Sequence, residues 1–203
     1  MYYSNTEGRI VRIAVFGIYP GGRKNLVDSS VGILSQAGRR VKVMSPFDIA
    51  GEVLSDGSHD HQPISRISDD VSLQIDLKAL ASDLVVEMPY SFPWIFKRDD
   101  LQTKLTVSVE DKAIGREFGV FFQDEKIKKY DAVLYIDLDS EGLVGCDETF
   151  GLSKKDIDDW KMFEKYRLRA LCRRSNVLYS AFTVRETLDS DIAKRIEIIL
   201  GSK

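Results

Sequence analysis

The chain has 203 residues, 43% apolar and 30% charged, the balance of an ordinary soluble globular protein with room for one sizeable core. A net charge of −3, with Lys and Arg mixed among Asp and Glu throughout, excludes an overall basic field that would draw it to nucleic acid or lipid. Two distant cysteines, Cys146 and Cys172, supply no metal framework, and no apolar run approaches the ~20 residues of a membrane span.

RIVRIAVFG (9–17) is a short apolar run rich in β-branched residues and stopped by Gly17, which predicts a buried strand. IYPGGRK turns the chain, and NLVDSSVGILSQAG follows with helical spacing at Leu26, Val27, Val31, Ile33 and Leu34 and a stop at Gly38. RRVKVMSPFD reads as the next strand, completing a βαβ unit. Residues 50–69 are polar and turn-rich, which predicts a loop or flap, with His59 and His61 either solvent-exposed loop residues or a metal pair, the first being the expected reading. DVSLQIDLKALAS has helical spacing and leads into the apolar strand DLVVEM. PYSFPWIF, with two prolines and four aromatics, is either a hydrophobic loop over a cleft or core filler under a turn. LTVSVEDKAIGREFGVFFQDEKIKKY is expected to hold a loop and a helix, followed by the strand DAVLYIDL. Residues 139–156 form an irregular acidic insertion. IDDWKMFEKYRLRALCRR predicts a long amphipathic helix, NVLYSAF a last strand, and DSDIAKRIEIIL a closing helix capped by Asp189 or Ser190. Alternating β and α elements imply one α/β domain over 1–203, a mostly parallel sheet covered by helices on both faces. The N-terminus, MYYSNTEGR, lacks the charged-then-apolar layout of a signal peptide, so the expected location is cytoplasmic.

In open α/β sheets ligands bind outside the carboxyl ends of the strands. Three stretches are expected there: IYPGGRK after the first strand, MPYSFPW after DLVVE, and DKAIGREFG at a helix start. A helix N-terminus would keep Glu117 ionised and available as a nucleophile; alternatively Glu117 only complements the helix dipole.

DKAIGREFG, with Asp111, Gly115, Glu117 and Gly119, resembles the signature of the nucleoside 2-deoxyribosyltransferase family and of related nucleotide N-glycoside hydrolases. DLKALASDLVVEMPY from Asp76, FGIYPGG and SPFD at 45–48 extend the resemblance over roughly residues 10–138. The family's small hydroxyl-bearing loop residues are Lys112, Ala113 and Ile114 here. The resemblance implies a flavodoxin-like (Rossmann-like) sheet and cleavage or transfer of the N-glycosidic bond of a nucleoside or its 5′-monophosphate. Glu117 would form a glycosyl-enzyme ester, with Asp111 and Asp76 handling protons and sugar hydroxyls. Gly17, Tyr19, Gly21 and Gly22 would line the sugar or phosphate end. It implies no metal or organic cofactor and a homo-oligomer as the working form. Tyr19 and Tyr90 are either stacking platforms or structural tyrosines. Gly21, Gly22, Arg23 and Lys24 are either an anion cradle, aided by Lys112, or a turn with exposed cations.

The same turn is close to the phosphate loop G-x-x-x-x-G-K-[ST], although Arg23 interrupts the Gly-Lys step and Asn25 replaces the Ser or Thr that would hold Mg²⁺. A degenerate nucleotide kinase is therefore the alternative expectation, and a non-catalytic nucleotide-binding module the third.

Overall fold

In the computed structural model, which describes residues 10–18, 20–45, 49, 73–77, 82–93, 107–120, 124–144, 151–183 and 188–201, the β-branched runs form the expected strands. Five of them, β1 (Arg12–Phe16), β2 (Val41–Met44), β3 (Asp83–Glu87), β7 (Ala132–Asp137) and β8 (Leu178–Thr183), make one parallel sheet in the order β2-β3-β1-β7-β8. β1 is buried on both faces because its residues alternate between two apolar layers. Ile13 and Val15 pack with Val27 and Leu34 of α1 (Pro20–Gln36) and with Ile192 and Ile196 of α4 (Leu188–Gly201). Ala14 and Phe16 face Trp160, Phe163 and Leu168 of α3 (Lys154–Ser175). The α/β class with helices on both faces is thus as expected.

The helices end where local chemistry ends them. At the close of α1, Gly38 takes φ 80°, and the amides of Gly38 and Arg39 return to the carbonyls of Ser35 and Leu34, a Schellman arrangement that pairs the last carbonyls. At the start of α3, Ser153 and Asp156 form a reciprocal capping box. The short helix α2 (Ser140–Leu143) and this cap occupy the described ends of the acidic insertion.

The βαβ unit of β1, α1 and β2 stands within one parallel sheet, with β3 inserted between its two strands. One expectation changes. The stretch read as a loop and helix head is an antiparallel hairpin of β5 (Val107–Asp111) and β6 (Arg116–Val120), and β4 (Ser91–Pro93) pairs with β6 to give a second, three-stranded sheet. Gly115 at φ 71° closes the hairpin turn, after which Asp124–Lys129 form a 3-10 helix. Phe118 anchors the hairpin by stacking on Phe163 of α3 with ring centroids 4.1 Å apart.

β1 leaves the sheet through α1 on one face, and β7 through α3 on the other. Their adjacent carboxyl ends therefore flank a point where the chain diverges, the usual place for a ligand. There β1 and β7 approach so closely that a Cβ on Gly17 would stand 2.7 Å from the carbonyl oxygen of Ile136. Gly17→Ala is expected to push these strands apart and destabilise the fold by about 1–3 kcal/mol, seen as a lower urea midpoint.

Candidate functional site

Charged side chains gather at the carboxyl ends of β1, β3 and β7. Arg23, on the first turns of α1, is only 1% exposed; its Nε donates to Oε1 of Glu87 at the end of β3, and its Nη1 to the carbonyl of Gly17. Burial lowers the pKa of Arg23, with the carboxylate of Glu87 the leading influence in the other direction.

Next to this pair, on the α3 side, Glu164 is 0% exposed. Its Oε1 accepts from the backbone N and the Oγ of Ser91, each at 2.9 Å, and Trp160 donates to the same Oγ at 3.0 Å. Burial raises the Glu164 carboxyl to about 7 despite the opposing hydrogen bonds from Ser91 and the charge of Arg23.

At the end of β7, Asp137 lies 2.8 Å from Nζ of Lys161 and 2.5 Å from Nζ of Lys165, both on α3. Lys161 also donates to the carbonyl of Leu138 and to Ser140 Oγ, so it braces α3 against α2. Burial works against the ionised form of Asp137, but the two lysines outweigh it and hold the carboxyl below its usual range.

The residues expected to form a catalytic cluster lie elsewhere and serve the fold. Glu117 is exposed on β6, opposite Glu110, and accepts from Ser108 Oγ. It stands on a strand, with no helix head behind it. Asp111 accepts from the backbone N of Ala113 and Ile114 at 2.9 and 3.1 Å, which shapes the hairpin turn. Asp76 bonds Arg12 and Lys129, each at 2.8 Å; these precede or open β1 and β7, so Asp76 is at the amino end of the sheet. Glu117 and Asp111 share a hairpin, but Asp76 is on the far side of the molecule from the carboxyl ends. Glu117→Ala should therefore leave the unfolding free energy within about 0.5 kcal/mol of the parent, measured by urea denaturation.

The expected binding residues also divide. Gly17 and Arg23 are at the carboxyl edge, and Gly21 and Gly22 belong to the first turn of α1, which begins at Pro20 rather than after the glycines. Lys112 is exposed in the hairpin turn. Tyr90 is 0% exposed, edge-on to Phe16, with its hydroxyl 2.5 Å from Arg167 Nε and 3.2 Å from Asp124, so it is a core tyrosine and no stacking platform. Tyr19, His59, His61 and Cys146 lie outside the described residues. Cys172 is buried, and that burial pushes its thiol up to about 12, the condition of an inert core cysteine. Among the described residues no helix is long and apolar enough to cross a membrane.

No protein-family model matches the chain, and no curated protein matches it. Two solved structures align along almost its full length. Shikimate kinase from Bacteroides thetaiotaomicron does so at 12% identity and a TM-score of 0.48, over 94% of this chain and 98% of that one. Dephospho-CoA kinase from Campylobacter jejuni does so at 10% identity and a TM-score of 0.46, over 95% and 98%. Both of these structures are of kinases. With Glu117 on an exposed hairpin, the deoxyribosyltransferase resemblance and the glycosyl-transfer or hydrolase activity inferred from it are corrected: the match of DKAIGREFG was a coincidence of residue types in a different backbone.

Proposed function

We propose that this chain is a nucleotide-binding protein whose binding unit is the strand, glycine turn and helix formed by β1, GIYPGGRK and α1, and that it binds nucleotide there without transferring phosphate. The supporting context is local. A phosphate loop joins a strand to a helix, and GIYPGGRK joins β1 to α1 at the carboxyl edge of a parallel sheet. The opening amides of α1 have no partners within the helix and favour an anion.

The observation that carries the reading is the fate of Arg23. With Gly17 and Gly22 taken as the two glycines, Arg23 falls where the phosphate-contacting lysine would stand, yet it is buried and closed on Glu87 and the Gly17 carbonyl. Turning it toward a phosphate would strand Glu87 as an unpaired buried charge, at a cost of about 3–5 kcal/mol. Neither Lys24 nor Asn25, the next two residues, offers the hydroxyl that would hold Mg²⁺. The turn can thus receive a phosphate through backbone and dipole, but the cation at the lysine position is locked and no metal-holding hydroxyl follows it for the transfer step.

The test is thermal and calorimetric titration with ATP, GTP and nucleoside monophosphates, together with a Mg²⁺-dependent assay of phosphate transfer. Nucleotide should stabilise the protein by about 2.7 kcal/mol at a hundred times its Kd, with no turnover. Phosphate transfer abolished by Lys24→Ala would establish a kinase instead, a reading favoured by the exposure of Lys24 at the start of α1. Absence of any nucleotide effect would reject both.

A further inference from the structure

Between α3 and the edge strand β8 lies a hollow of about 600 Å³ that the glycine turn does not use. Its floor comes from Asp137 at the end of β7 and from Tyr179 on β8, and its wall from α3. Lys161, Lys165 and Arg169 recur every four residues along α3, which puts three cations in one stripe about 6 Å apart. Met162 and Tyr166 run parallel to them, also four apart, and Tyr166 is 67% exposed.

The stripe is only partly neutralised. Asp137 is held by Lys161 and Lys165, and Asp158 bonds Ser140 Oγ at 2.5 Å, whereas Arg169 has no ion-pair partner among the described residues. An unmatched guanidinium and two lysines therefore line the hollow along α3, beside the exposed ring of Tyr166 on the same helix. Oxygens of a phosphate answer the donors, the guanidinium in bidentate fashion, and a flat heterocycle answers Tyr166. The volume falls within the range of small-molecule sites.

We infer that the hollow between α3 and β8 binds a nucleoside 5′-monophosphate, its phosphate on Arg169 and Lys165 and its base against Tyr166. The inference deepens the nucleotide-binding reading and rests on it, adding a second subsite on the opposite face of the sheet from α1.

Titration calorimetry on the full chain with AMP, adenosine and inorganic phosphate tests it, using the parent, Arg169→Ala and Tyr166→Ala. Both altered side chains are exposed, and unchanged melting temperatures without ligand will show that the variants fold. AMP should bind more tightly than either fragment. Arg169→Ala should weaken AMP and phosphate tenfold or more, while Tyr166→Ala should weaken AMP several-fold and leave phosphate unchanged. AMP bound equally by the parent and both variants would overturn the hollow as its site and leave the glycine turn as the binding unit. Inorganic phosphate bound as tightly as AMP would overturn the role of the ring. No binding of AMP, ATP or GTP by the parent would remove the nucleotide reading itself.

Discussion

Arg23→Met is expected to lower the unfolding free energy by about 3–5 kcal/mol. The methionine keeps most of the buried volume but leaves Glu87, only 4% exposed, without its counter-charge, and it removes the donor to the Gly17 carbonyl. The loss therefore comes mainly from the stranded carboxylate rather than from an attraction forgone. That distinction is measurable. Arg23→Met combined with Glu87→Leu takes both charges out together, and a buried ion pair replaced by apolar groups is often close to neutral. Urea denaturation of the two variants should show a large drop for the single substitution and recovery of most of it in the double. Equal losses in both would mean that packing, not charge, holds the end of β3 to α1.

Glu164→Gln is expected to flatten the pH dependence of stability near neutrality. The Glu164 carboxyl is raised to about 7 from an ordinary 4.5 by burial, so the native state holds its proton more tightly than the unfolded chain does. Its contribution is fully present below about pH 4.5 and is lost as pH rises through about 7. Above that the ionised, buried carboxylate costs about 3 kcal/mol. Glutamine keeps the acceptor for Ser91 and is neutral at every pH. The difference between parent and variant urea midpoints should therefore widen in favour of the variant from pH 5.5 to pH 8.5. Parallel profiles over that interval would show that Glu164 does not titrate there. The carboxyls held below their usual range, Asp137, Asp156 and Asp189, titrate in more acid solution and cancel in the comparison.

Most strands and helices were legible because each is written in a local run: RIAVF, LVVE and AVLYID are apolar over consecutive residues, and α1, α3 and α4 follow the helical period. The hairpin was misread although its signal was present. Val107 and Val109 alternate with polar residues, as do Phe118 and Val120, a period of two that the glycines of DKAIGREFG obscured. The charged core was legible only in part. Ile157, Trp160, Leu168 and Leu171 make a buried stripe on α3, and Glu164 falls in the middle of it, a carboxylate on the wrong face. Arg23 and Glu87 are 64 residues apart, and no local pattern joins them. A pair of that kind is created by strand order, which local periodicity does not encode.

The position of β1 has a consequence for how the chain acquires its structure. Its flanks are filled by β3 and β7, and its opening amides are held by Asp83, 72 residues on, and by Asp131, 119 residues on. During synthesis β1 must therefore wait for β7, 119 residues further on, before both its edges are covered. Such distant pairings slow folding, and chains interrupted before residue 131 should aggregate through the uncovered side of β1.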